Sequence, residues 1–185
     1  LIFDAFNEVL ALSKTNKNAK TVIDAWAEGA WFKEKQEIAK QIKLTVYKVP
    51  GEINTDDLSP ATDAWSRPDI PLHALAMFKM PREGLDKPLE TIEELKKKGN
   101  PLVFVGDVVG TGSSRKSATN SVLWHMGDEI PCIPNKKEGG FCFGGKIAPI
   151  FFNTLEDSGA FPVECDVSKL NMGQEIIFEP FNGKI

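Results

Sequence analysis

The chain has 185 residues, of which 42% are hydrophobic, and a formal net charge of −4. This length and apolar content suffice for one hydrophobic core with a small second module. The apolar content excludes a disordered tail, and the mild acidity excludes a surface that is basic throughout. No apolar run approaches the ~20 residues of a membrane helix and no signal peptide opens the chain, so we predict a soluble, cytoplasmic protein without a membrane partner.

Two helices are predicted in residues 1–40, on either side of a turn rich in Lys and Asn. Their apolar residues recur at helical spacing: Ile2, Phe3, Phe6, Val9 and Leu10 in the first, and Val22, Ile23, Trp26, Trp31 and Phe32 in the second. Such a pair cannot bury its own apolar faces, so we expect it to pack on another domain or on further helices. From Lys43 to Val49 the pattern alternates as in a half-buried strand, which sets a domain boundary near residue 41.

Residues 41–185 mix strands with helices. The patterns predict a polar loop over 51–71 and helices over 72–78, 88–98 and 114–126. They also predict strands over 101–109, 130–133, 147–151, 161–164 and 175–178, with a tight turn over 110–113. This interleaving indicates a compact α/β or β/β/α layered fold.

The first predicted helix lacks a residue that would cap its start, and the last predicted hairpin lacks its second strand. Leu1 stands inside the first helical stripe, with no initiator Met and no capping residue before it. Asn182-Gly183 predicts a hairpin turn, yet the chain stops at Ile185, before a strand can return. We therefore expect the sequence to be a piece of a longer protein.

The three cysteines, Cys132, Cys142 and Cys165, are spaced by ten and twenty-three positions, so none forms a close pair. The two histidines, His73 and His125, are far apart in sequence. Zinc and iron–sulfur sites need three or four ligands, usually with one close pair. We predict three reduced, mostly buried thiols and no metal site within this chain.

The segment from Gly110 to Ser117 carries the strongest chemical signal. Two glycines after a strand allow a sharp turn, and the free amides at the start of the next helix form an anion site. Arg115 adds a planar set of donors suited to a carboxylate or phosphate.

Four interpretations of this turn compete on the residues alone, and the first of them fails. A dinucleotide fingerprint and a phosphate loop each need a glycine where Arg115 stands, although Lys116-Ser117 has the right frame for the second. A carboxylate-binding turn with a serine for acid–base work fits the residue types. The fourth interpretation is a glycine turn in which Ser113 or Ser114 only caps the helix.

Two loops carry a resemblance to a known family. The segment Val105–Arg115 resembles the Gly-Ser-Ser-Arg turn of the aconitase superfamily's swivel domain, and Asn54–Ala61 resembles its Thr-Asp loop. Residues 51–83 and 144–154 are similar to the bacterial B-type branch, in which a helical-repeat domain comes first. The resemblance covers about residues 44–180. It implies that 1–40 ends a HEAT-like helical domain and that 41–185 is an aconitase-type swivelling β/β/α domain.

The resemblance implies a hydro-lyase that interconverts citrate and isocitrate through cis-aconitate. A 4Fe–4S cluster with one exchangeable iron would act as a Lewis acid on the substrate. Its three cysteine ligands are expected in the core domains of the same parent chain, outside this sequence. Binding of RNA and a homodimer formed through the helical domain are partners that the resemblance leaves open.

Site residues carry over by motif position. Ser113 matches the family's general base, which acts as an alkoxide and contacts the substrate, and Ser114 and Arg115 match substrate contacts. Arg67 matches a second substrate arginine. The first amides of the helix, with both arginines, would provide the positive field that an alkoxide needs.

Other polar residues near these motifs receive structural interpretations. We predict a local turn or an ion pair with a nearby arginine for Asp56 and Asp57, and a position on a helix surface for His125. Two alternative functions are the small subunit of an isopropylmalate or homoaconitate hydro-lyase and a non-enzymatic phosphate- or RNA-binding module. Residues 1–40 argue against the first, since a small subunit would begin near the first strand.

Overall fold

The computed structural model describes residues 2–33, 37–113 and 115–185. By contacts they form two compact units, a smaller one within residues 1–38 plus 130–134 and a larger one within 39–129 plus 135–185. In the part of the chain described, no helix has the length and hydropathy needed to cross a membrane.

The smaller unit contains α1 (Ile2–Ser13), α2 (Lys17–Glu28) and α3 (Ala30–Lys33). The Asn16 side chain caps α2 by accepting from the amides of Asn18 and Ala19, and Gly29 ends the helix with a φ of +66°. Trp26 donates its indole N–H to the carbonyl of Cys132 at 2.7 Å. The two predicted helices are confirmed, but Gly29 ends the second, so Trp31 and Phe32, which the sequence assigned to it, lie in α3.

Among its described residues, the larger unit contains these α-helices and β-strands in chain order: β1 (Ile42–Asn54), α4 (Thr55–Leu58), α5 (Ile70–Ala74), α6 (Pro88–Lys96), β2 (Leu102–Thr111), α7 (Arg115–Met126), β3 (Asp128–Glu129), β4 (Lys137–Glu138), β5 (Phe141–Ile147), α8 (Pro149–Asp157), β6 (Phe161–Glu164) and β7 (Glu175–Phe178). The main sheet has the strand order β6-β5-β2-β1-β7, and β3 and β4 form a separate pair. Neighbours among β6, β5, β2 and β1 run parallel, whereas β7 is antiparallel to β1.

Both faces of the main sheet are buried. On one face, strand residues such as Tyr47 and Phe104 pack with α4, α6, α7 and α8. On the other, Val46 and Val105 pack with Val167 from the segment after β6. Successive parallel strands step across the sheet in one direction, so right-handed crossovers leave these helices on one face. The predicted α/β layering is confirmed.

The structure corrects the prediction for residues 130–133 and 147–151. Residues 130–133 form no strand, since the amide of Ile133 closes a turn onto the carbonyl of Ile130. Residue 147 ends β5, and Pro149 opens α8, because proline suits the first turn of a helix. The glycines in β5 masked its strand pattern.

The predicted polar loop over 51–71 is shorter than expected. β1 continues through Pro50 and Gly51 to Asn54, and the loop then contains α4 and a 3-10 turn at Ala61–Asp63. The helix predicted over 72–78 begins earlier, as α5, because the Asp69 side chain caps it through the amide of Leu72.

The prediction that His125 lies on a helix surface is wrong. Only 6% of His125 is exposed, and its Nε2 lies 2.9 Å from the carbonyl of Ala74, to which it donates. Burial lowers the pKa of this imidazole. The residue therefore anchors the end of α7 to α5.

Gly110 and Gly99 form a matched pair for testing the close approach of α8 to β2. Both have a φ near +80°, but a Cβ at Gly110 would lie 2.2 Å from the ring of Phe151, whereas nothing lies within 4 Å of one at Gly99. We expect Gly110→Ala to lower the free energy of unfolding by about 3 kcal/mol and Gly99→Ala by about 1 kcal/mol. Urea unfolding measures both, and equal losses would contradict the close packing.

His125 also predicts a pH dependence of stability. In the unfolded chain the imidazole titrates near its ordinary pKa of about 6.5, and in the folded chain at lower pH. Between pH 7 and 5 the unfolded state therefore binds more protons, and the free energy of unfolding decreases as the pH falls. We expect the urea midpoint to fall over this range, and to fall less in His125→Gln. The same fall in both proteins would rule out this assignment.

Candidate functional site

The two loops singled out in the sequence leave the sheet at one edge. β1 and β2 are parallel neighbours whose register ends with Asn54 opposite Thr111. The loops that follow Asn54 and Thr111 therefore begin side by side at the carboxyl ends of the strands. In parallel α/β sheets, ligands bind outside this edge.

Gly112 brings these loops into direct contact. Its φ is +104°, and a Cβ there would lie 2.5 Å from Thr55 Oγ1 and 2.6 Å from Asn54 Oδ1. Only glycine allows both this conformation and this approach. The turn after β2 thus rests on the start of α4.

The start of α4 is held by a capping box. Asn54 Oδ1 accepts from the amide of Asp56 at 2.9 Å, and Asp57 Oδ2 accepts from the amide of Asn54 at 2.8 Å. Asp57 Oδ2 also pairs with Arg82 Nη1 at 3.1 Å. The local role predicted for Asp57 is confirmed, whereas Asp56 takes part through its backbone amide.

Arg82 was not predicted to have a role. Its guanidinium also donates to the carbonyls of Pro50 and Glu52, so it fastens the end of β1 as well as Asp57. These partners lie 25 to 32 positions away in sequence, and no local pattern marks them.

Two predicted site residues of the turn, Ser113 and Arg115, are described, and they lie at the start of α7. Ser113 is exposed, and its carbonyl accepts from the amide of Arg115 at 2.9 Å. Ser114 lies outside the described residues. Arg115 is the first residue of α7 and is partly buried. Among the residues described, none hydrogen-bonds the Ser113 hydroxyl and no carboxylate pairs with Arg115.

Arg67 lines a pocket of about 350 Å³ with residues of α7. The residues that share this lining and matter for the site are Ser59, His73, Ser117, Asn120 and Ser121. Arg67 Nε lies 3.3 Å from Asp63 Oδ1, and its Nη1 donates to the carbonyl of Leu72 at 3.0 Å. Ser113 and Arg115 do not line this pocket, so the structure brings Arg67 to α7 but not into one pocket with them.

The residues of this chain do not fit an iron–sulfur cluster. Cys142 is fully buried, which raises the pKa of its thiol to about 12, and Cys132 and Cys165 are partly buried free thiols. Within residues 2–33, 37–113 and 115–185, no group of three or more His, Cys, Asp or Glu residues could hold a metal ion. A cluster ligand must be a thiolate, which burial of Cys142 disfavours.

Curated relatives match the whole chain. It is 67% identical over 187 residues to an aconitate hydratase B of Synechocystis and 61% identical over 193 residues to one of Pseudomonas aeruginosa. All of this chain is covered in both alignments, but only 21% and 22% of the relatives. The chain therefore spans about a fifth of the length of the curated relatives it matches.

A solved structure has a similar fold. A 3-isopropylmalate dehydratase from Methanocaldococcus jannaschii superimposes with a TM-score of 0.51 at 19% identity, covering 78% of each chain. This likeness concerns the fold alone, and it confirms the predicted aconitase-type α/β class.

Two family models match separate stretches. Residues 1–32 match the model described as the aconitate B N-terminal domain, and residues 44–185 match the aconitate hydratase 2 N-terminus. Because the second match covers most of the sequence, this chain belongs to the family of the aconitate hydratase 2 N-terminus.

Proposed function

We propose that this chain is the substrate-binding swivel domain of an aconitate hydratase, joined to the end of a helical domain in residues 1–40. The full-length enzyme would interconvert citrate and isocitrate through cis-aconitate. The observation that carries this proposal is the 67% identity to an aconitate hydratase B over the entire chain. The isopropylmalate alternative has only a fold likeness at 19% identity in its favour.

Ser113 is the proposed general base. Dehydration would transfer the proton from the carbon next to the one that bears the hydroxyl to the Ser113 alkoxide. The electrons of that C–H bond would form the C=C bond, and the hydroxyl would leave with the electrons of its C–O bond and be protonated to water. The Ser113 side chain is exposed at the turn, so its oxygen is free to meet that proton. Serine is a weak base unless a positive field stabilises its alkoxide, and the N-terminus of α7 with Arg115 supports one.

Arg115 is the proposed main carboxylate contact. Its five donors form a planar fork, and no described carboxylate competes for them. Ser114, by its motif position, completes this contact. Arg67 is the proposed second arginine, which binds another carboxylate of the same substrate.

The described residues of this chain offer no suitable set of ligands for the iron–sulfur cluster of the family. In the proposal its cysteines therefore belong to the rest of the full-length enzyme, and this chain contributes binding and proton transfer.

The isolated chain is expected to be colourless and without hydratase activity, because its own three cysteines lack the spacing of cluster ligands. Purified chain treated anaerobically with iron and sulfide should show no visible absorbance band after desalting and no turnover of citrate. A stable band together with turnover would overturn this division of labour.

In the full-length enzyme, Ser113→Ala should lower kcat by about 10²- to 10⁴-fold with little change in KM, because the lost group transfers a proton rather than binds. Steady-state kinetics with isocitrate measures this. Ser168→Ala, at another exposed serine, is the control. If Ser113 only caps α7, the variant would instead keep its turnover and lose about 1 kcal/mol of stability.

Arg115→Lys keeps the positive charge but loses the planar fork. We expect KM to rise and kcat to fall together, with kcat/KM about 100-fold lower or more. Lys116→Arg, at the exposed neighbouring position, should leave both constants near their original values. Unchanged kinetics in Arg115→Lys would remove Arg115 from the substrate site.

A further inference from the structure

Asp63 is a buried carboxylate with two cationic partners. Only 5% of its side chain is exposed. Lys79 Nζ donates to its two oxygens at 3.0 and 3.2 Å, and Arg67 Nε lies 3.3 Å from Oδ1. The hydrogen bond and charge of Lys79 lower the pKa of the carboxyl, so Asp63 is ionised at neutral pH.

Arg67 is held through its main chain as well as its side chain. Its amide donates to the carbonyl of Asp63 at 3.0 Å, and its own carbonyl lies 3.3 Å from His73 Nδ1. His73 Nε2 in turn lies 2.7 Å from the hydroxyl of Ser59, which is itself 2% exposed. A proton on Nδ1 would let His73 donate to Arg67 and accept from Ser59, so both contacts fit one tautomer.

The two side-chain contacts leave one end of the guanidinium free. Nε is engaged by Asp63 and Nη1 by the carbonyl of Leu72, whereas Nη2 has no acceptor among the described residues. A ligand therefore cannot bind the pair of donors Nε and Nη2 unless the hydrogen bond from Nε to Asp63 breaks. What remains for a ligand carboxylate is Nη2 together with the second hydrogen of Nη1, approached end-on.

We propose that Asp63 is a positioning residue that fixes Arg67 so that its terminal nitrogens meet one substrate carboxylate in the pocket beside α7. This inference rests on the proposed function, in which Arg67 is a substrate arginine. Asp63 does not touch the substrate and acts only through Arg67. Holding a long side chain in advance removes the ordering cost that substrate binding would otherwise carry.

Lys79 separates this role from a merely structural one. Lys79 and Arg67 both pair with Asp63, but the Lys79 side chain is 57% exposed and does not line the pocket beside α7. Lys79 and Arg67 do line a second pocket of about 300 Å³. Loss of Lys79 weakens the buried ion pair and leaves the contact between Asp63 and Arg67. Loss of the Asp63 charge weakens the contact with Lys79 and the contact with Arg67.

The test measures steady-state kinetics and melting temperature of the full-length enzyme with citrate. Asp63→Asn should raise KM about tenfold with a much smaller change in kcat, because the charge-assisted contact to Arg67 Nε is lost. Asp63→Glu keeps the charge, so its KM should lie between the KM of the original enzyme and that of Asp63→Asn. Lys79→Gln should lower the melting temperature but leave KM within about twofold.

Two outcomes would overturn the inference while the proposed function stands. One is an unchanged KM in Asp63→Asn when Arg67→Lys raises it. The other is an equal rise of KM in Asp63→Asn and Lys79→Gln in step with melting temperature, which identifies a structural role. If Asp63→Asn does not fold, the double variant Asp63→Asn with Lys79→Gln, which lacks the same carboxylate but leaves no unpaired lysine beside it, replaces it, and an unchanged KM there has the same meaning.

A different pattern of KM values would contradict part of the proposed function itself. An unchanged KM in Arg67→Lys would remove Arg67 from the substrate site and the inference with it. The kinetics of Ser113→Ala and Arg115→Lys would then still report independently on the proposed base and on the main carboxylate contact.

Discussion

β1 and β2 run parallel from Thr45 and Leu102 to Asn54 and Thr111, and this ladder decides where the two motif loops lie. Parallel neighbours end at the same edge of a sheet, so loops that are far apart in sequence begin next to one another there. Gly112 then lets the second loop come to van der Waals distance of the first, where any side chain would collide with Asn54 and Thr55. The candidate site depends on this contact.

The connection between β1 and β2 contributes Leu58, Met77 and Leu85 to the main core, and charged pairs also hold it. Asp57 pairs with Arg82 at the end of β1, and Asp63 pairs with Arg67 and Lys79 farther along. The Asp63 carboxylate is buried and would be costly without its partners, whereas Asp57 is only partly buried. Each pair fixes the backbone around it. α5 joins this loop to α7 through the hydrogen bond between His125 and Ala74. A long connection thereby becomes a firm support for Arg67, the proposed substrate contact.

Local signals were sufficient for most of the fold. Helical spacing indicated α1 and α2, Pro88 and Gly99 bracketed α6, and apolar runs predicted β2, β6 and β7. The errors have physical causes. Glycines hid the strand pattern of β5, the apolar residues after it belong to α8, and His125 is buried by a partner from α5 that no helical periodicity reveals.

The sequence by itself determined the family, the α/β class and the Gly110–Arg115 turn, because the residues that carry them are contiguous and their chemistry is local. Only the tertiary structure decided that this turn rests on Asn54, that Asp63 restrains Arg67 and that Arg82 fastens the end of β1. The contacts of Gly112 and Arg82 join residues 25 to 58 positions apart. Asp63 and Arg67 are close in sequence, but which buried group Arg67 binds depends on how the loop folds against α5. Contacts of this kind follow from sheet pairing and helix packing, which no short stretch of sequence specifies.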